Sequence, residues 1–145
     1  MLRRQIFTVL PFALIAGAAR ANEAAPTGGE GQYVDMAPVA LPIVVRNRLI
    51  NYVFVHIRIN LSRSADAQKV REKEPWFRDA LVRAGHRTPF TVATDYTVVD
   101  EDRVKAALMR DAAAIVGARN LLSVTIVSQA PKQRRGLPRP PTAKT

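Results

Sequence analysis

The chain contains no cysteine. That excludes a disulfide framework, a thiolate metal site and a lipidated-cysteine anchor. It has only two histidines, which leaves little material for histidine-based catalysis or metal binding. A stretch long enough to cross a bilayer comfortably is also missing, which makes an uncleaved N-terminal anchor the less favoured reading of the apolar start. The apolar, charge-free run from Ile6 to Ala19 is 14 residues long. As a helix it would reach about 21 Å, against a hydrocarbon core of about 30 Å. Pro11 interrupts it and Arg20 closes it.

What that run does fit is a secretory signal. Leu2-Arg3-Arg4 supplies a charged start, Ile6–Ala19 the apolar centre, and Ala19-Arg20-Ala21 the small-residue cleavage site before Asn22. Residues 1–21 are therefore expected to be removed near Ala21, leaving a periplasmic protein. Arg3-Arg4 is compatible with either the Sec or the twin-arginine route.

The net charge of +10 is unevenly placed. The signal carries Arg3, Arg4 and Arg20, and the segment from Pro131 carries Lys132, Arg134, Arg135, Arg139 and Lys144 with no acid. Residues 22–130 are left with 14 basic side chains against 12 acidic ones, a net of only +2. A nucleic-acid binder needs a basic face on the fold itself, so nucleic acid is not an expected partner.

Residues 22–32, with three glycines and a proline, cannot bury enough apolar surface to offset their ordering entropy and read as a flexible linker. Residues 131–145, rich in proline and cations, read as a disordered basic tail. One domain is expected over 33–130, large enough for a single modest core.

Inside it, Val53, Val55, Ile57, Ile59 and Leu61 alternate with Phe54, His56, Arg58 and Asn60, marking a strand with one buried face. Val39–Val45 is also apolar, but Pro38 and Pro42 restrict it to an edge or an extended lead-in. Ser64 or Asp66 can cap a helix over about 66–73, and Pro75 restarts a second over about 75–84. On the latter, Trp76, Phe77, Ala80, Leu81 and Ala84 are expected to form the core stripe, with Gly85 as the stop. Phe90–Val98 alternates as a strand. Asp100-Glu101-Asp102 opens a helix with Val104, Ala107, Leu108, Ala112 and Ile115 inward and Gly117 at its end. Leu121–Gln129 is a further strand, with Leu122, Val124 and Ile126 on one face. The order β-αα-β-α-β predicts an α+β fold, a small mixed sheet with helices packed on one face.

The chemistry-bearing residues form no catalytic set. His56 falls on the polar face of a strand and His86 after Gly85, with nothing to fix either beside a nucleophile. Three consecutive acids, Asp100 to Asp102, are explained by the helix dipole; a cation loop needs oxygens at alternating positions around a glycine. Gly28-Gly29-Glu30-Gly31 precedes any strand and leads into no helix, so it is not a phosphate loop. No catalytic residue, metal site or cofactor is expected. The candidate contacts are the tail cations Lys132, Arg134, Arg135 and Arg139, each able to contribute on the order of 1 kcal/mol near an anionic surface.

The pieces also resemble, in order, the periplasmic domain of the FliL family of flagellar basal-body proteins. The resemblance lies in the lead-in Leu41-Pro42-Ile43-Val44-Val45, the strand Asn51–Ile59, the helix start Pro75-Trp76-Phe77-Arg78-Asp79-Ala80-Leu81, the helix Val104–Val116 and the closing Val124-Thr125-Ile126-Val127-Ser128-Gln129. It spans about residues 41–129 and implies a stomatin-type fold, self-association near the flagellar stator and no catalytic residues. The expectation is thus a non-catalytic periplasmic accessory of the flagellar motor, acting through protein contacts. The alternative is a soluble envelope protein attached by its basic tail to lipid headgroups, cell wall or an acidic partner.

Overall fold

The computed structural model describes residues 31–141. The expected signal segment, nearly all of the linker and Lys144 lie outside them.

The chain runs β1 (Tyr33–Asp35), β2 (Val39–Val45), β3 (Arg48–Leu61), α1 (Ala67–Glu72), α2 (Glu74–Arg87), β4 (Thr91–Val92), β5 (Asp95–Val99), α3 (Glu101–Val116) and β6 (Leu121–Pro131). A 3₁₀ turn at Ala118–Asn120 joins α3 to β6. This is an α+β fold, with helices on one side of an antiparallel sheet.

β3 organises the sheet. Val53 pairs with Leu41 on one side and Pro131 on the other, and Ile59 pairs with Val34 and Val124. β6 therefore occupies one edge of β3 from Val53 to Leu61. β1 and β2 share the other edge as two collinear pieces of one strand, separated by Met36–Pro38. Val53, Val55, Ile57 and Ile59 are fully buried, as their alternation predicts. Each such side chain contributes roughly 1.5–3 kcal/mol by leaving water.

All pairings among the described residues are antiparallel, where a mixed sheet was the expectation. The reason lies in residues 90–98. They do not enter the main sheet as one strand but fold back as the β4–β5 hairpin, so no parallel β–α–β crossover is formed. Val92 pairs with Asp95 across a two-residue loop. The Asp95 carboxylate accepts from Thr97 N at 2.8 Å and from its hydroxyl at 2.6 Å, a local bond that secures the turn.

The helices start and stop for identifiable reasons. Asp66 caps α1, accepting from Gln68 N and Lys69 N, and Pro75 lies in the first turn of α2 where its missing donor costs nothing. Asp100 caps α3 by accepting from Arg103 N at 3.2 Å, and Gly117 ends it with φ 88°. Phe77 and Leu81 of α2 meet Val104, Leu108 and Ala112 of α3 over the inner sheet face, all fully buried.

Three expectations are corrected here. Gly85 does not stop α2, which continues to Arg87. It is a close-approach residue: a Cβ at that position would come within 3.3 Å of Leu41 Cδ2 and 3.5 Å of Phe90. His86 accordingly sits in the last helical turn, its Nδ1 2.9 Å from Val82 O. Trp76 is outside the core stripe and 54% exposed, because Phe77, Leu81 and Ala84 define a stripe about one residue, or 100°, further round the helix. Leu122 is 67% exposed, because β6 carries bulges. Asn60 pairs with Ser123 and Leu61 with Leu121, leaving Leu122 as the extra residue; Val127 is left over in the same way between Ser128 and Ile126.

Candidate functional site

The most heavily bonded polar side chain in the core is Asn51, buried at the start of β3. Its Nδ2 donates to Tyr96 O and to Gln133 O, both at 3.0 Å. Its Oδ1 accepts from Tyr52 N at 2.9 Å and from Gln133 N at 3.1 Å. Both donors and both acceptor positions of the amide are thereby used. The amide locks the β5 strand and the segment after β6 onto the same point of the sheet.

The consequence for the tail is direct. Expected to be free from Pro131, it is tied at its root. Pro131 is still part of β6, Lys132 N donates to Tyr52 O at 2.8 Å, and Gln133 is held by Asn51 through both backbone groups. Leu137 packs against the core, and Arg134 to Pro140 line a groove of about 400 Å³ with Thr94–Thr97 of the β4–β5 hairpin. The four tail cations nevertheless remain exposed.

They are not alone. Two further exposed cations lie at the β2–β3 turn, Arg46-Asn47, and at Arg48 at the start of β3, six and four residues before Tyr52, where Lys132 is bonded. Arg46 and Asn47 have φ of 50° and 59°. Positive φ at both central residues is what a two-residue type I′ hairpin loop demands. Asn accepts that conformation readily, whereas for Arg it costs about 1 kcal/mol. Arg46, Arg48, Lys132, Arg134, Arg135 and Arg139 are all exposed, and no described carboxylate lies within 4.0 Å of any of them. Leu49, next to Arg48, is 53% exposed. The sequence pattern picks out the tail cations and leaves the turn unnoticed. The signal was present: Arg46-Asn47, with its αL-tolerant asparagine, separates two apolar runs at hairpin spacing.

The other polar features are engaged in local structure. Glu101 is 3.6 Å from Lys105 and accepts from Gln129 Nε2 at 2.7 Å, and Gln129 Oε1 receives Val99 N at 2.9 Å. Those bonds tie α3 to β5 and β6. Among the described residues no group of three or more His, Asp or Glu side chains is placed to hold a metal ion. His56 lies half-buried on the outer sheet face, across from Ser128. On that face Arg58 holds Asp35 in a two-bond ion pair at 2.7 and 3.1 Å and covers the Tyr33 ring at 3.9 Å. The hydrogen bond from Arg58 holds the Asp35 carboxyl below its ordinary value and raises the guanidinium in turn. A second groove, about 470 Å³, runs between the end of α2 and α3, where Arg87, Arg103 and Arg110 surround Phe90 and Ala107. Arg110 there is paired with Asp111 at 3.1 Å.

No protein-family model matches the chain, and no curated protein matches it.

Proposed function

We propose that this protein is an exported, non-catalytic accessory that works by docking, and that its setting is the flagellar motor. The observation that supports docking over chemistry is a set of six exposed cations, on the β2–β3 turn and on the tail, with no described carboxylate within 4.0 Å of them. The motor setting rests on the resemblance of the sequence from Leu41 to Gln129 to the FliL pattern, and not on a family match. On this reading the partner is a protein, the stator or a second copy of the chain, and the signal directs the domain to the periplasm.

Swimming of a clean deletion strain in soft agar, with filaments counted by microscopy, tests it. Reduced spreading with filaments intact is expected. Normal spreading of a motile host would remove the motor from the reading.

A second reading is favoured by a specific observation. The tail cations Lys132, Arg134, Arg135 and Arg139 stay exposed although the tail is tied at its root, which suits attachment to an extended acidic surface in the envelope. This reading keeps the docking function and changes what is docked upon.

A further inference from the structure

We infer that the free edge of β6 pairs with the same edge of a second copy of this chain, antiparallel about a two-fold axis at Thr125, joining the two main sheets into one. The pairing rests on the protein-docking reading above, with a second copy as the partner.

The phase of the hydrogen bonds on β3 shows which groups are open. Tyr52 O accepts from Lys132 N, so the backbone of Tyr52 faces β6, whereas Ile57 O accepts from Met36 N and faces the other way. Ile59, two residues on, is turned like Ile57. Their partners Ile126 and Val124 therefore direct their own N–H and C=O groups to the free edge of β6. β6 pairs with no strand other than β3, and among the described residues no side chain bonds a backbone group of Leu121–Pro131. The strand carries no charged residue, and Leu122, Ser123, Thr125, Val127 and Ser128 are exposed. A long, uncharged, β-branched edge is a template for another strand.

The opposite edge of the sheet is blunted. Pro42 has no N–H to offer, Thr91 Oγ1 accepts from Val44 N and donates to Val44 O, both at 3.0 Å, and Ala37 N donates to Glu74 Oε1 at 3.0 Å. This asymmetry selects the occupant. Head-to-tail assembly needs β6 of one copy on the β1–β2 edge of the next, where these groups stand in the way. Pairing β6 with β6 uses the open edge of both copies at once, and so closes as a two-fold dimer instead of growing into a filament. The strand complements itself in that register. Val124 of each copy exchanges hydrogen bonds with Ile126 of the other, and Thr125 meets Thr125, a favourable cross-strand pair. The bulge residues Leu122 and Val127, 67% and 47% exposed, come beside each other across the seam. No charge opposes a like charge between Leu122 and Ser128.

The test is sedimentation velocity of the purified full chain over a range of concentrations. The mass is expected to rise from one chain to two and to stop there. Leu122→Lys combined with Val127→Lys should hold it at one chain. Both residues are exposed and extra to the β3–β6 ladder, so a melting curve close to the parent's will separate lost pairing from lost folding. Because the chain has no cysteine, Thr125→Cys introduces a single thiol. Across the axis the two Cα atoms lie about 4.5 Å apart, within the span of a disulfide. Mild oxidation should convert most of this variant to a covalent dimer, while Ala114→Cys, exposed on α3, should stay largely single.

A mass of one chain at every concentration, with no crosslink through Thr125→Cys, would overturn the pairing; reduced spreading of the deletion strain would then leave docking on a different protein standing. A dimer untouched by the two lysines, and crosslinked no better through Thr125→Cys than through Ala114→Cys, would overturn the β6 edge as its seam. Growth beyond two chains would overturn the two-fold closure.

Discussion

Asn51 and Gln133, 82 residues apart in sequence, are joined by a reciprocal pair of hydrogen bonds in which one side-chain amide meets both backbone groups of its partner. Because the same amide also serves Tyr96 O and Tyr52 N, truncation would strand several buried or half-buried backbone groups at once. Asn51→Ala is therefore expected to cost about 2–3 kcal/mol, read as a lowered urea midpoint. It should also speed tryptic cleavage at Arg134 and Arg135, since the root of the tail would be released. Unchanged cleavage would mean that β6 alone holds the tail.

The two faces of β3 should respond oppositely to charge. Ile57→Asp places an unpaired carboxylate in a fully buried site and is expected to cost more than about 4 kcal/mol, enough to unfold the domain. Phe54→Asp, three residues earlier on the outer face and 43% exposed in the parent, should leave a folded protein with a small change in melting temperature. Circular dichroism melts of the two variants decide the matter.

At Gly85, two opposing effects can be separated by size. Alanine favours a helix interior over glycine by about 1 kcal/mol, while its Cβ would press on Leu41 Cδ2 at 3.3 Å. Leu41 is fully buried and has little room to move, so Gly85→Ala should come out close to neutral. Gly85→Val adds two more carbons to the same contact and should destabilise by about 1–3 kcal/mol. Thermal melts that rank valine at or above glycine would place the helix farther from β2 than described.

The Asp35–Arg58 pair makes a pH-dependent contribution of defined sign. The Asp35 carboxyl is held below its ordinary value, first by the hydrogen bond from Arg58. Stability from it is therefore fully present above the ordinary carboxylate range and is lost as pH falls through the depressed folded value. The pair is more than a third exposed, so the effect is small. Comparing the parent with Asp35→Asn, the difference in stability should hold steady at neutral pH and vanish only in strong acid. A difference that disappears near neutral pH would assign it to another group.

How far the sequence revealed this fold depends on the range of the forces involved. The Val53–Leu61 alternation is a local, period-two signal, and the buried face it predicts is the observed one. Helix starts were equally local, since Asp66, Pro75 and Asp100 act on their own first turns. Phase errors arose where one residue shifts the register. The bulge at Leu122 turns the expected inward residue outward, and the Ala93-Thr94 loop breaks a strand whose alternation looks continuous. Gly85 is ambiguous in sequence because the same residue ends helices and admits close neighbours; only the position of Leu41 decides between them. Least legible was the tie at the root of the tail: Asn51 and Gln133 lie 82 residues apart, and nothing local links them until β3 and β6 pair.

The placement of the domain's two ends has a mechanical meaning. Tyr33 enters the sheet opposite Asn60, whereas Lys132 leaves it opposite Tyr52, eight residues or about 27 Å away along β3. β1 begins at one end of the central strand and β6 finishes at the other. A pull applied between Tyr33 and Lys132 would therefore run along the strands and load the β1–β3 and β3–β6 ladders in shear. Their hydrogen bonds would share the force side by side instead of opening one after another as in a zipper. A sheet strung in that way resists extension far better than its thermodynamic stability alone would suggest.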